Sequence, residues 1–288
     1  MKAFAELLDR LVYTPSRNGK LRLLVAYFEA TPDPDRGYAL AALTDGLVQR
    51  LPVRRTFGLL IEQRRIDPEL FRLSRDYVGD TAETMALLWP EPFGPCPPLR
   101  LATVAQTLGD MDASMLAAQL GSWLDCLDAT GRWALLKLLT GALRVGVSAR
   151  LAKTAVAMLG GRTVDEVEEI WHGLAAPYEE LFKWLSGTAP RPDPTGAPVF
   201  RPMMLAHPLE PEDWAGLEVA EFAIEWKWDG IRVQVAAVGG MTRLYSRTGD
   251  DIGQSFPDLV SALRFDAVLD GELLVMREGA VRSFNDLQ

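Results

Sequence analysis

At 288 residues, 48% hydrophobic and 24% charged, the chain is long enough for two domains with separate cores and has an ordinary globular composition. No apolar run approaches the ~18 residues of a membrane span. Two cysteines and two histidines supply neither a disulfide framework nor a zinc cluster, so a reducing cytoplasm is the default setting. The net charge of −9 is uneven: residues 1–150 hold 18 Lys/Arg against 17 Asp/Glu (net +1), and residues 151–288 hold 12 against 22 (net −10). Phosphate binding depends on local basic patches, so the total does not exclude a polyanionic partner.

In the opening MKAFAELLDRLVY, Phe4, Leu7, Leu8 and Leu11 share one face and acidic residues interrupt the apolar ones. This predicts a folded amphipathic helix and not a signal peptide. Leu21, Leu24, Val25 and Phe28 repeat the pattern. Further helices are predicted over 37–50, 67–77, 100–108, 112–128, 131–140, 148–159, 163–172 and 177–186, with Thr163 and Glu166 forming a capping box. Five prolines between Trp89 and Pro98 make that stretch a loop between two helical groups. Within 138–149, a turn containing Arg144 and Gly146 leads directly into a helix capped by Ser148. Amides at a helix N-terminus, with the dipole behind them, bind phosphate without needing a basic surface.

Residues 187–198, rich in proline and glycine, read as a linker, after which the hydrophobic period changes from 3.6 to 2. Residues 222–236 alternate, and Gly239-Gly240 makes a two-residue turn into a strand at 242–247. A short helix over 256–264, capped by Ser255, and a strand over 266–275 follow. On the first of these strands Glu225, Lys227 and Asp229 would project to one face, with Ile224, Trp226 and Trp228 anchoring the other in a core.

The order Lys227-x-Asp229-Gly230-x-Arg232 resembles the signature of the covalent nucleotidyltransferases, which include DNA ligases, RNA ligases and capping enzymes. Tyr245-Ser246-Arg247-Thr248-Gly249 and Leu269-Asp270-Gly271-Glu272-Leu273 resemble the next two elements of that superfamily, in its order. Phe200-Arg201-Pro202-Met203-Met204-Leu205-Ala206 resembles the entry to the ligase nucleotide-binding domain. The resemblance implies that Lys227 attacks the α-phosphate of ATP, Glu225 contacts the base, Glu272 holds the ribose, and Arg232 and Arg247 neutralise phosphate charge. A nucleophilic amine must be neutral and lysine ordinarily titrates at ~10.4, so activation needs desolvation or nearby positive charge, such as Mg²⁺ and further cationic side chains.

The 138–149 segment, and the opening helices with Arg17 and Lys20, resemble the DNA-binding domain that precedes the catalytic core of larger ATP-dependent DNA ligases. The resemblance assigns Arg17, Lys20, Arg144, Gly146 and Ser148 to nicked double-stranded DNA, gripped through its backbone without sequence preference. The expected architecture is a multidomain α and α+β chain. An all-helical DNA-binding domain occupies 1–187, a linker 188–199, and the first, mostly antiparallel part of an adenylation domain (nucleotidyltransferase, ATP-grasp-like) 200–288. The protein is expected to be monomeric and nucleoid-associated, with no membrane contact. The resemblance further implies a metal-binding Glu-Gly element, a paired-lysine strand and a basic β-barrel domain, which these 288 residues do not contain. Little ligation activity is therefore expected of this chain alone, while DNA binding with steep salt dependence should persist. The alternatives are a non-catalytic DNA-binding module with a vestigial nucleotide fold, and an RNA ligase or capping-type enzyme.

Overall fold

The computed structural model describes residues 1–47, 53–91, 96–112, 114–141, 143–194, 196–204, 206–223 and 225–287. Two compact units emerge: Met1–Val167 with Leu174–Pro192, and Glu168–Gly173 with Asp193–Gln288.

The first unit is helical. It opens with α1 (Lys2–Val12), α2 (Arg17–Ala30) and α3 (Asp35–Leu43). Next come α4 (Val53–Gln63), α5 (Pro68–Val78), α6 (Thr81–Leu88), α7 (Leu101–Asp110) and α8 (Leu116–Asp125). The series closes with α9 (Ala129–Thr140), α10 (Ala149–Leu159), α11 (Val164–Trp171), whose residues from Glu168 on belong to the second unit, and α12 (Glu179–Leu185). The periodic residues Phe4, Leu7, Leu8 and Leu11, with Leu24 and Phe28, all lie in the core. Helix α2 packs along α10, where the fully buried Ala152 and Ala155 allow close approach.

Several boundaries differ from the sequence expectation. The helix expected over 37–50 ends at Leu43, where Asp45 enters a left-handed conformation (φ 56°); positions 48–50 lie outside the described residues. The helix expected over 112–128 begins only at Leu116, because the Asp112 side chain accepts the Ser114 amide (2.8 Å) in a local turn. Helices α4 and α6 had no counterpart in the sequence reading. The capping box is present as expected: Thr163 Oγ1 accepts from the Glu166 amide (3.2 Å), and the Glu166 carboxylate accepts from the Thr163 amide (2.8 Å).

Cys96 and Cys126, from which sequence reasoning built no disulfide, are joined. Trp89 and Pro90, at the start of the Pro-rich stretch, are drawn to the end of α8 by the buried Arg132, whose guanidinium donates to their carbonyls and to that of Leu124. Trp89 Nε1 also donates to Asp125 (3.0 Å). These tertiary bonds bring together two cysteines 30 residues apart in sequence.

The second unit holds an antiparallel sheet of β1 (Ile231–Val238), β2 (Met241–Ser246) and β3 (Ala267–Leu273), in the order β2-β1-β3. Helix α13 (Pro257–Ala262), a two-residue hairpin of β4 (Met276–Arg277) with β5 (Ala280–Val281), and α14 (Phe284–Leu287) complete it. The β1–β2 turn is the expected one, with Gly239 and Gly240 both at positive φ (58° and 80°). On one side of the sheet, Phe200, Met203, Ala236, Tyr245 and Val268 pack together, and His172 meets the rings of Phe200 and Tyr245 edge-on. Gln234 fastens the incoming chain: its amide accepts from the Arg201 N–H (2.7 Å) and donates to the Arg201 carbonyl (2.9 Å).

Two expectations fail here. The strand predicted from residue 222 begins at Ile231, and residues 225–230 are irregular. Trp226 is 84% exposed and Trp228 48% exposed, so neither anchors a core; Ile224 lies outside the described residues. The ladder gives the reason. Ile231 pairs with Leu273, the last residue of β3, and β2 ends opposite Val233, so the alternating segment upstream has no strand to bond. The short helix starts at Pro257 after Phe256, and Ser255 belongs to the preceding 3₁₀ turn instead of capping it.

Candidate nucleic-acid and nucleotide sites

In the first unit, the residues assigned to DNA line one cleft of about 920 Å³ between the start of α2 and the α9–α10 turn. Helix α9 ends at Gly141 in a left-handed cap (φ 64°), and Ser148 caps α10 by accepting from the Leu151 amide (3.2 Å). The intervening turn is anchored by Val145, 3% exposed, while Arg144 and Ser148 are exposed. The cleft's cations are Arg17, Lys20, Arg144 and Arg150, against one carboxylate, Asp45. Ala149 and Arg150, in the first turn of α10 ahead of the capped amide, also line it. A concave wall with exposed guanidiniums and a capped helix N-terminus is chemically suited to a phosphodiester backbone.

Lys20 behaves differently from its neighbours. It is 9% exposed, and its ammonium donates to the carbonyls of Val145 (2.6 Å) and Gly146 (3.0 Å). Arg150, which sequence reasoning did not single out, lies two residues beyond the Ser148 cap; its place in the first turn of a phosphate-facing helix was the available signal.

In the second unit, Arg232 and Glu272 stand opposite each other across β1 and β3. Arg247 follows Ser246, whose partner is Val233, so it lies one step beyond the last β1–β2 pair, at the same end of the sheet. The three motif elements therefore converge on the end of the sheet opposite the Gly239-Gly240 hairpin. Lys227 and Glu225 are exposed in the irregular segment that enters this end, not on a strand face as expected. No bond among the described residues links them to Arg247 or Glu272. Arg232 is held by Asp270 (2.7 and 3.2 Å) and donates to the Met204 carbonyl (2.7 Å); the Asp270 bonds raise its pKa further. Asp270 sits within the quoted Leu269–Leu273 motif yet received no role from the sequence.

Gly230 explains itself by geometry. A Cβ there would lie 2.4 Å from the Leu273 carbonyl oxygen, and the Gly230 amide donates to Glu272 (3.2 Å) where the ladder has run out. The turn after β2 is similarly tight: Gly249 (φ 88°) packs against His172 and Phe200, and the Ser246, Thr248 and Asp250 side chains bond one another.

Two guanidiniums, an amine and two carboxylates at one sheet end match the donor set that the phosphates, sugar and base of a nucleotide require. The Mg²⁺ implied by the resemblance finds no comparable set. Among the described residues no group of three or more His, Cys, Asp or Glu could hold a metal, and Asp270 and Glu272 are engaged by Arg232 and the Gly230 amide.

The motif elements that resemble the nucleotidyltransferase signature thus lie together at one end of the sheet of the second unit. Residues 203–288 match the family model described as the ATP dependent DNA ligase domain. A probable DNA ligase of Koribacter versatilis is 35% identical over 159 residues, 54% of this chain and 27% of the relative. DNA ligase 1 of Korarchaeum cryptofilum is 32% identical over 167 residues (56% and 30%), and a probable DNA ligase of Anaeromyxobacter dehalogenans 32% over 185 (62% and 36%). Over these stretches the chain is similar to ATP-dependent DNA ligases, as the motifs implied, and the matches span about a third of those relatives' own length.

Proposed function

We propose that these residues serve an ATP-dependent DNA ligase acting on nicks in duplex DNA, the helical unit gripping the backbone and the sheet unit carrying the nucleotide on Lys227, with little ligation by the 288 residues alone. The observation that carries this reading is the convergence of Arg232, Glu272 and Arg247 on the sheet end that the Lys227 segment enters. The relatives' names support it for the class of reaction. In the first step the Lys227 amine attacks the α-phosphorus, forming a P–N bond as the bond to pyrophosphate breaks and the amine loses its proton. Arg247 and Arg232 offset the charge that develops on the phosphate, and Glu272 accepts from the ribose hydroxyls. The AMP then passes to the 5′-phosphate of the nick, and the 3′-hydroxyl displaces it. In the helical unit, Arg17, Arg144 and Arg150 meet successive backbone phosphates, which suits an enzyme indifferent to sequence.

Intact-mass spectrometry after incubation with Mg²⁺ and either ATP or GTP tests this. A gain of roughly 329 Da with ATP, absent in Lys227→Ala, is expected for a lysyl-AMP species. A gain with GTP alone supports the capping-type alternative. No gain with either nucleotide, alongside intact binding to nicked duplex, supports the non-catalytic module.

A further inference from the structure

Lys20 stands out among the cleft cations because its charge is already committed. It reaches from α2 across 125 residues of sequence to bond two successive carbonyls, those of Val145 and Gly146, while Arg17 and Arg144 beside it are exposed. Gly146 fits this contact in two ways. Its φ of 66° belongs to the left-handed region, and a Cβ there would lie 2.4 Å from the Lys20 ammonium. A larger residue would push the ammonium off its present bonds and strain the left-handed backbone.

A trans peptide points its C=O and following N–H in opposite directions. Holding the carbonyls of residues 145 and 146 therefore turns the amides of Gly146 and Val147 away from the ammonium. Both residues line the cleft, and two successive amides aimed the same way form an anion cradle. We propose that Lys20 is a positioning residue that does not touch DNA: it locks the 143–148 turn so that Arg144 and the Gly146 and Val147 amides meet one backbone phosphate. The proposal rests on the DNA-binding reading of this cleft and adds to it how the site is kept in shape.

The test combines binding of nicked duplex over a salt series with hydrogen exchange of the free protein. It uses wild type, Lys20→Met, Gly146→Ala, Arg144→Gln and the Lys20→Met/Arg144→Gln pair. Lys20→Met should weaken binding roughly tenfold, a loss of the size expected for one phosphate contact. It should also speed amide exchange across 143–147 while leaving residues 152–157 of α10 protected. The paired variant should be no more than about twofold weaker than Lys20→Met, because both substitutions disable one phosphate site. Gly146→Ala, which displaces the ammonium without removing it, should reproduce both effects; it decides the matter if Lys20→Met does not fold. Additive losses in the pair, or unchanged exchange in Lys20→Met and Gly146→Ala, would overturn the positioning role while leaving the cleft's DNA binding intact. Failure of the wild type to bind at low salt would instead remove the DNA reading, and the positioning role with it.

Discussion

In the helical unit two buried cations, Lys20 and Arg132, donate to backbone carbonyls, and the exposed Arg144 sits on the turn that Lys20 bonds. At the end of the sheet the arrangement is reversed. Of these site residues Arg232 and Glu272 are tied to the fold among the described residues, while Lys227, Glu225 and Arg247 lie exposed on irregular segments. A buried cation that has found carbonyls maintains shape, and an exposed one beside it is available to a partner. The first unit thus offers exposed guanidiniums on a cleft whose turn is held by buried bonds, whereas the second offers exposed side chains on irregular segments at one end of a three-stranded sheet. That contrast suits the two tasks of the proposed function: a backbone grip needs a fixed shape, and a nucleophile must approach one phosphorus and later release its cargo.

The comparison breaks most visibly at Gly230. Gly230→Ala places a Cβ against the Leu273 carbonyl, so the sheet end must shift; a loss of about 2 kcal/mol in the second unit's stability is expected from overpacking. Thermal unfolding should show it, together with a reduced yield of the lysyl adduct, and DNA affinity should not change.

A smaller effect sharpens the helical side. Asp80 caps α6 by accepting from the Glu83 amide (2.9 Å) and pairs with Lys137 on α9. Burial works against its charge, but the Lys137 and amide bonds prevail and hold its pKa below the ordinary value. A carboxylate with a depressed folded pKa stabilises fully above its unfolded pKa, near ~3.9, and loses that contribution as pH falls through the lower folded value. Asp80→Asn should therefore cost about 1 kcal/mol at pH 7, the solvent-screened worth of the Lys137 pair since asparagine keeps the cap, and the difference from wild type should shrink as pH falls through the depressed folded pKa. Urea denaturation across pH measures this; a difference that grows on acidification contradicts it.

The helical period was legible wherever apolar residues alone built it, as at Phe4, Leu7, Leu8 and Leu11. Helix α6 was missed although Asp80 and Glu83 spell an N-cap. In α4 the paired arginines and Gly58 blurred the face that buries Phe57 and Leu60. The hairpin at Gly239-Gly240 was readable because its turn chemistry is local. The extent of β1 was not, since alternation states what a strand would look like and not where its partners stop. The same limit applied to the site. Residue types marked Arg17, Arg144 and Arg247 as cationic, but only tertiary geometry separates them from Lys20, whose partners lie more than a hundred residues away. It likewise reveals that Asp270 holds Arg232.

The division of labour between the two units is tested most directly by measuring DNA affinity and covalent nucleotide uptake on the same variants. Arg17→Gln/Arg144→Gln should bind nicked duplex at least about tenfold more weakly, with a salt slope lower by about two, and should take up AMP as wild type does. Lys227→Ala should lose the AMP adduct completely and bind nicked duplex unchanged. If each variant instead lost both properties together, or if Lys227→Ala still acquired AMP, the account would be contradicted.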